Sequence, residues 1–128
     1  MNLLLDTHAL IWFLEDDPQL SPVARLAIED SANHCHVSDA TAWEIAIKQS
    51  LGKLTLPRPF EVLFPSEIQV LGFQILPIRH GHLHEIARLR FHHRDPFDRL
   101  LIAQSKVEEM TLVSRDPHFH SYGIPILW

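Results

Sequence analysis

Residues 1–15 read MNLLLDTHALIWFLE. Three consecutive leucines run straight into Asp6, and a second apolar run follows almost at once. Asn2–Leu5 has the continuous apolar character of a short buried strand that stops at a polar break, and residues 9–15 continue as a helix. A carboxylate with apolar residues on both sides is costly to bury unless something compensates it. The reading of Asp6 therefore depends on whether it has acidic company elsewhere.

The same alternation repeats along the chain. Ser21-Pro22 is a helix start, with serine as N-cap and proline at the first helical position, and that helix runs to about Asp30. His34–Val37 is a second strand. Ser38 or Asp39 caps a helix through about Leu51, stopped by Gly52. LTLPRP (54–59) is a turn-rich connection. Residues 60–70 are helical with an interruption at Pro65. A third strand covers 73–77, a helix 81–90, and a further helix runs from Asp95-Pro96 to about Glu109. A fourth strand spans 111–114 and a fifth 124–127. Strands alternate with helices and no Asn-Gly hairpin signal joins any two. This predicts a three-layer α/β fold with a mostly parallel sheet. In such sheets, ligand sites lie at the carboxyl ends of strands near the point where strand order reverses. Asp6 and Asp116 follow the first and fourth strands.

Composition narrows the class. The 128 residues fit one domain, 1–128, and 46% hydrophobic residues suffice for a core. The single cysteine, Cys35, excludes an internal disulfide framework and suits a reducing compartment. The first residues lack the basic region and cleavage site of a secretory signal. The run ALIWFL (9–14) is far short of the ~20 residues of a membrane helix. A cytoplasmic protein without membrane attachment is expected. The net charge of −5 argues against broad electrostatic capture of nucleic acid, yet remains compatible with a nuclease whose carboxylates are neutralised by cations.

Each acid alone has an ordinary structural use. Asp6 caps the helix that follows it. Glu44, within TAWEIAIKQS, forms an i,i+4 pair with Lys48. Asp95 is the natural N-cap before Pro96, and Asp98 sits at the third helical position, where a carboxylate answers the cap and the helix dipole. Asp116 caps a short turn before Pro117. Taken together, Asp6, Glu44, Asp98 and Asp116 come from four different elements. Unpaired carboxylates brought together repel one another, and their natural use is to hold hard divalent cations, Mg²⁺ or Mn²⁺.

LLLDTHALIWFL, SDATAWEIAIKQSLGKL, HRDPFDRLLIAQS and LVSRDPHFHSYGIPILW, in this order and spacing, resemble the PIN-domain family and within it the VapC-type toxins of prokaryotic toxin–antitoxin pairs. The resemblance covers nearly the whole chain. It implies a five-stranded sheet of order 3-2-1-4-5 with Asp6 beside Asp116. It also implies a Mg²⁺- or Mn²⁺-dependent endoribonuclease acting on structured RNAs such as tRNA, a homodimer, and a small VapB-like antitoxin that fills the active-site groove. Asp6, Glu44, Asp98 and Asp116 match the family's four acids, residue by residue. Asp6 and Asp98 would hold the principal metal, and Glu44 and Asp116 would complete the site. Asp95, Ser114 and Thr7 are possible accessory residues. Lys48, Arg94, Arg99 and Arg115 are candidates for the RNA backbone.

Of the ten histidines, all but His8 gather at 34–36, 80–84, 92–93 and 118–120. Neither zinc-finger nor zincin spacing appears, so they are read as solvated helix and loop residues, some lining the groove. Trp12 and Trp43 are assigned to core or interface. Two rival functions remain. A phosphoacceptor signalling domain resembles this layout, but it needs an acidic pair after strand one and a lysine after the last strand; here Asp6 stands alone and no such lysine follows. A catalytically silent binding protein of the same fold is disfavoured by the intact set of four acids.

Overall fold

The computed structural model describes residues 1–128. Five strands form one all-parallel sheet: β1 (Asn2–Leu5), β2 (His34–Ser38), β3 (Gln74–Leu76), β4 (Thr111–Val113) and β5 (Ile126–Leu127), in the order β3-β2-β1-β4-β5. Helices connect them: α1 (Thr7–Leu14), α2 (Pro22–Glu29), α3 (Asp39–Ser50), α4 (Phe60–Val62), α5 (Ile68–Val70), α6 (His80–Arg88) and α7 (Pro96–Glu108). A wide π-type turn, Leu63–Glu67, joins α4 to α5, and a 3₁₀ segment, Pro117–Tyr122, precedes β5. No helix is long and apolar enough to cross a membrane.

The leucine run places the core. Leu3 pairs with Cys35 on one side and Thr111 on the other, so β1 is central. Leu3, Leu4 and Leu5 have no exposed surface. By the strand period of two, Leu3 and Leu5 face one layer, with Val37, Val113, Ala9, Leu10, Ala24, Ile28 and Ile45. Leu4 faces the other, with Leu76, Leu101, Ile102, Leu112 and Phe119. A sheet covered by helices on both faces reads as an unbroken apolar run, which is why β1 shows no polar alternation. Each buried leucine contributes about 1.5–3 kcal/mol relative to exposure.

Boundaries differ from the sequence expectation where a cap or proline intervenes. Helix α1 begins at Thr7, because Asp6 is its N-cap and accepts a bond from the Ala9 amide at 2.7 Å. The 60–70 stretch breaks into short pieces at Phe64 (φ −113°, ψ 127°), whose helical region is disfavoured by the following Pro65. Leu63 and Phe64 still join the core, whereas Val62 is exposed. Leu89 turns extended and ends α6 early. Strand β5 starts only at Ile126, since the 3₁₀ segment and the left-handed turn at Gly123 occupy the preceding residues.

Two histidine expectations are corrected. His36 and His82 are buried rather than solvated. His36 Nδ1 lies 3.1 Å from the Leu3 carbonyl, and His82 Nε2 lies 3.0 Å from Glu108 Oε1. Trp43 is also no core residue: it is 57% exposed and packs edge-on against Phe97.

Candidate active site

The strand order reverses between β1's two neighbours, β2 and β4. A cleft of about 340 Å³ opens at the carboxyl ends of these strands, lined by Asp6, Thr7, Glu44, Lys48, Asp95, Asp98, Arg115 and Asp116, with His8, Trp12 and Pro117. All four matched acids are brought together, and Asp95 with them.

Local capping rules place each carboxylate. The Asp6 amide extends the sheet ladder by donating to the Val113 carbonyl at 3.1 Å, and its buried carboxylate caps α1. Thr7, one residue on, donates its hydroxyl to Glu44 Oε1 at 2.7 Å. The other Glu44 oxygen meets Lys48 Nζ at 2.7 Å. The expected i,i+4 pair therefore exists, but on a buried glutamate that faces the cleft. Asp95 is the cap of α7, with Oδ1 accepting from the amides of Phe97 (2.9 Å) and Asp98 (3.1 Å). Asp116 caps the 3₁₀ segment through the His118 amide at 2.9 Å. Its own amide donates to Ser114 Oγ at 3.1 Å. Ser114 is buried beside Asp6, and its hydroxyl favours the ionised form of that acid.

The acids feel one another. Burial first, then the charges of Asp95, Glu44, Asp6 and Asp116, push the Asp98 carboxyl up to about 7. Burial also raises Asp6, against the opposing bonds from Ser114 and the Ala9 amide. Asp116 behaves differently. Burial raises it, but the His118 amide and ring, with the His93 field, outweigh that and hold it below the usual range. Burial holds His93 below the ordinary imidazole range, against the pull of Asp116. The donor set is thus hard oxygen with excess negative charge, which suits a divalent cation. As they stand, no three His, Cys, Asp or Glu side chains close around a single point. Glu44 is turned to Thr7 and Lys48, and Asp116 to His118, so a cation would have to draw them inward.

The basic residues divide. Lys48 and Arg115 line the cleft, and the Arg115 guanidinium sits 4.5 Å from the centre of the Trp12 ring. Arg94 is exposed and does not line it. Arg99 is buried and committed inward: it donates to the carbonyls of Arg90 (2.8 Å) and Leu89 (3.1 Å) and lies over Phe91 at 3.9 Å. Its place as a backbone-binding candidate is withdrawn for that reason. His8 and Trp12 were missed. Their i,i+4 spacing on the helix that Asp6 caps was the available signal. His93 and His118 form an outer tier, with near-parallel rings 5.9 Å apart. Their sequence signal was adjacency to the RDPFD and RDP motifs.

The PIN domain family model matches residues 3–125. This chain belongs to the PIN domain family. Among curated relatives, the PIN chain is 38% identical over 58 residues to ribonuclease VapC16 of Mycobacterium tuberculosis (strain ATCC 25618 / H37Rv). That alignment spans 45% of the present chain and 41% of VapC16, so it covers about two fifths of that ribonuclease. The PIN fold also superposes on solved structures. One is VapBC2 of Rickettsia felis bound to a DNA fragment from their promoter (TM-score 0.70, 14% identity, 98% of this chain and 97% of that one). Another is FitAcB of Neisseria gonorrhoeae (TM-score 0.65, 20% identity, 97% and 95%).

Proposed function

We propose that this PIN domain is a Mg²⁺- or Mn²⁺-dependent endoribonuclease that serves as the toxin of a toxin–antitoxin pair. One observation carries the reading: acids from four separate elements share a cleft at the sheet's reversal point, where burial first and then the neighbouring carboxylates push the Asp98 carboxyl up to about 7. Such an arrangement is costly to the fold unless something positive enters it. The partial match to a ribonuclease and the likeness to toxin–antitoxin complexes support the same assignment.

In this reading Asp6 and Asp98 hold the cation, and Glu44 and Asp116 complete its surroundings. A divalent ion supplies Lewis acidity and counter-charge for phosphodiester hydrolysis. The chain's own residues do the rest. Thr7 fixes the Glu44 carboxylate, and the Ser114 hydroxyl favours ionised Asp6. Lys48 and Arg115 offer the cationic contacts that bring a phosphate backbone to an otherwise acidic cleft. The antitoxin partner, the homodimer, the single-domain extent and a tRNA-like target belong to the same proposal.

The test compares the chain, stripped of any copurified partner, with Asp6→Asn on a panel of RNAs containing EDTA, Mg²⁺ or Mn²⁺. Metal-dependent cleavage that disappears in the variant is expected. Undiminished cleavage by a folded Asp6→Asn protein overturns the site assignment.

A further inference from the structure

Tyr122 stands at the end of the 3₁₀ segment and His93 in the loop before α7, and neither lines the acidic cleft. The Tyr122 hydroxyl lies 3.2 Å from both the His92 and His93 amides, which can only donate to it. It lies 2.7 Å from His93 Nδ1. A phenol has one proton and two acceptor positions. With both acceptor positions filled by amides, its proton points at Nδ1. That nitrogen is then the acceptor of the neutral ring, and the ring proton must sit on Nε2. The ring is clamped between His118, stacked at 5.9 Å, and the edge-on Phe119 at 5.9 Å. Nε2 is buried and has no hydrogen-bond partner. Asp98 Oδ2 lies 3.5 Å from it, just beyond good hydrogen-bond length.

An orphaned, buried N–H of fixed tautomer with one carboxylate oxygen 3.5 Å away needs only a small side-chain shift to be satisfied. We propose that Tyr122 and His93 act as a positioning pair for Asp98: Nε2–H donates to Oδ2 and leaves the other carboxylate oxygen to meet the cation. This rests on the cation-site reading above. It gives the buried, unmatched donor a partner on the facing carboxylate. Groups that orient metal ligands from behind commonly change metal affinity by about 10–100-fold when removed.

Two measurements decide it. The first needs no cation. Imidazole ¹⁵N spectra of the full chain should show His93 with Nδ1 as acceptor and Nε2 protonated, and Tyr122→Phe should mix the tautomers. A wild-type spectrum with Nδ1 protonated overturns the pair. The second is calorimetric Mn²⁺ titration of the wild type, His93→Phe and His93→Gln, each checked for folding by circular dichroism. His93→Phe should bind about tenfold more weakly. The glutamine variant, which keeps an N–H near the Nε2 position, should stay near wild-type affinity; if the phenylalanine variant does not fold, His93→Asn, whose N–H falls short of that position, should bind about tenfold more weakly in its place, and equal affinity of the two amide variants overturns the role. Equal affinity in wild type and His93→Phe, or equal weakening in both variants, overturns the role. If the wild type itself binds no Mn²⁺, the cation-site reading fails, and the nitrogen spectrum still decides the tautomer relay.

Discussion

The amide of Asp6 donates to the carbonyl of Val113, so the first acid of the cleft is pinned by backbone to the strand that delivers the fourth. Asp6 is thereby both the last rung of the sheet and the cap of α1. These two duties separate under mutation. Asn caps a helix about as well as Asp, and it carries no charge to bury. Asp6→Asn should keep wild-type stability within about 1 kcal/mol in chemical denaturation, while RNA cleavage is lost. Asp6→Ala loses the cap as well and should cost about 1–2 kcal/mol.

Thr7 and Glu44 form a buried pair across two helices. Thr7→Val keeps the shape and removes the hydroxyl, leaving one oxygen of a buried carboxylate short of a donor. The expected cost is about 1–3 kcal/mol. Thr7→Val combined with Glu44→Gln should cost less than the sum of the two single changes, because the second removes the charge that the first left unsatisfied. Additive urea midpoints would refute that coupling.

Asp98 gives the metal-free protein a pH dependence of definite sign. Its carboxyl is held at about 7 in the folded chain against an ordinary 3.8. The folded state therefore holds a proton that the unfolded state releases between those values. Stability from this group is complete below the unfolded value and is lost as pH rises toward 7. Asp98→Asn should be more thermostable than wild type at pH 8, and the gap should shrink toward pH 4. Saturating Mn²⁺ should reverse the order at pH 8, since a cation stabilises only the carboxylate form. Melting scans at three pH values check both statements.

Arg99 is a structural residue. Its guanidinium closes the 89–91 loop against α7 through two carbonyls and the Phe91 ring. Arg99→Ala should cost about 2–4 kcal/mol. Arg99→Lys should recover only part of that, because an ammonium cannot span two carbonyls as the planar fork does. RNA affinity per folded molecule should be unchanged in both.

Much of this was legible before the coordinates. The caps at Asp6, Ser21, Asp95 and Asp116 follow from short-range rules, whereas the sheet order and the gathering of the four acids were implied only by the resemblance to the PIN-domain family. What escaped has physical reasons. Arg99 and Arg115 look alike in sequence, but whether a guanidinium turns inward depends on where the Leu89 and Arg90 carbonyls lie in space, which the extended turn at Leu89 sets. Histidines 36 and 82 are ordinary polar letters until the sheet and α7 offer them buried partners. The relation of Tyr122 to His93 spans 29 residues and has no local signature.

The pairing of Leu3 with Thr111 has a consequence for synthesis. Strands β1, β2 and β3 can align before β4, at Thr111–Val113, has been made. Until β4 docks against β1, Asp116 has no fixed place, and Ser114 cannot stand beside Asp6. A parallel strand that must find the centre of a sheet from the far end of the chain pairs late. The acidic cleft is thus assembled only once residues 111–116 have joined the sheet, and every earlier stage of the growing chain lacks it.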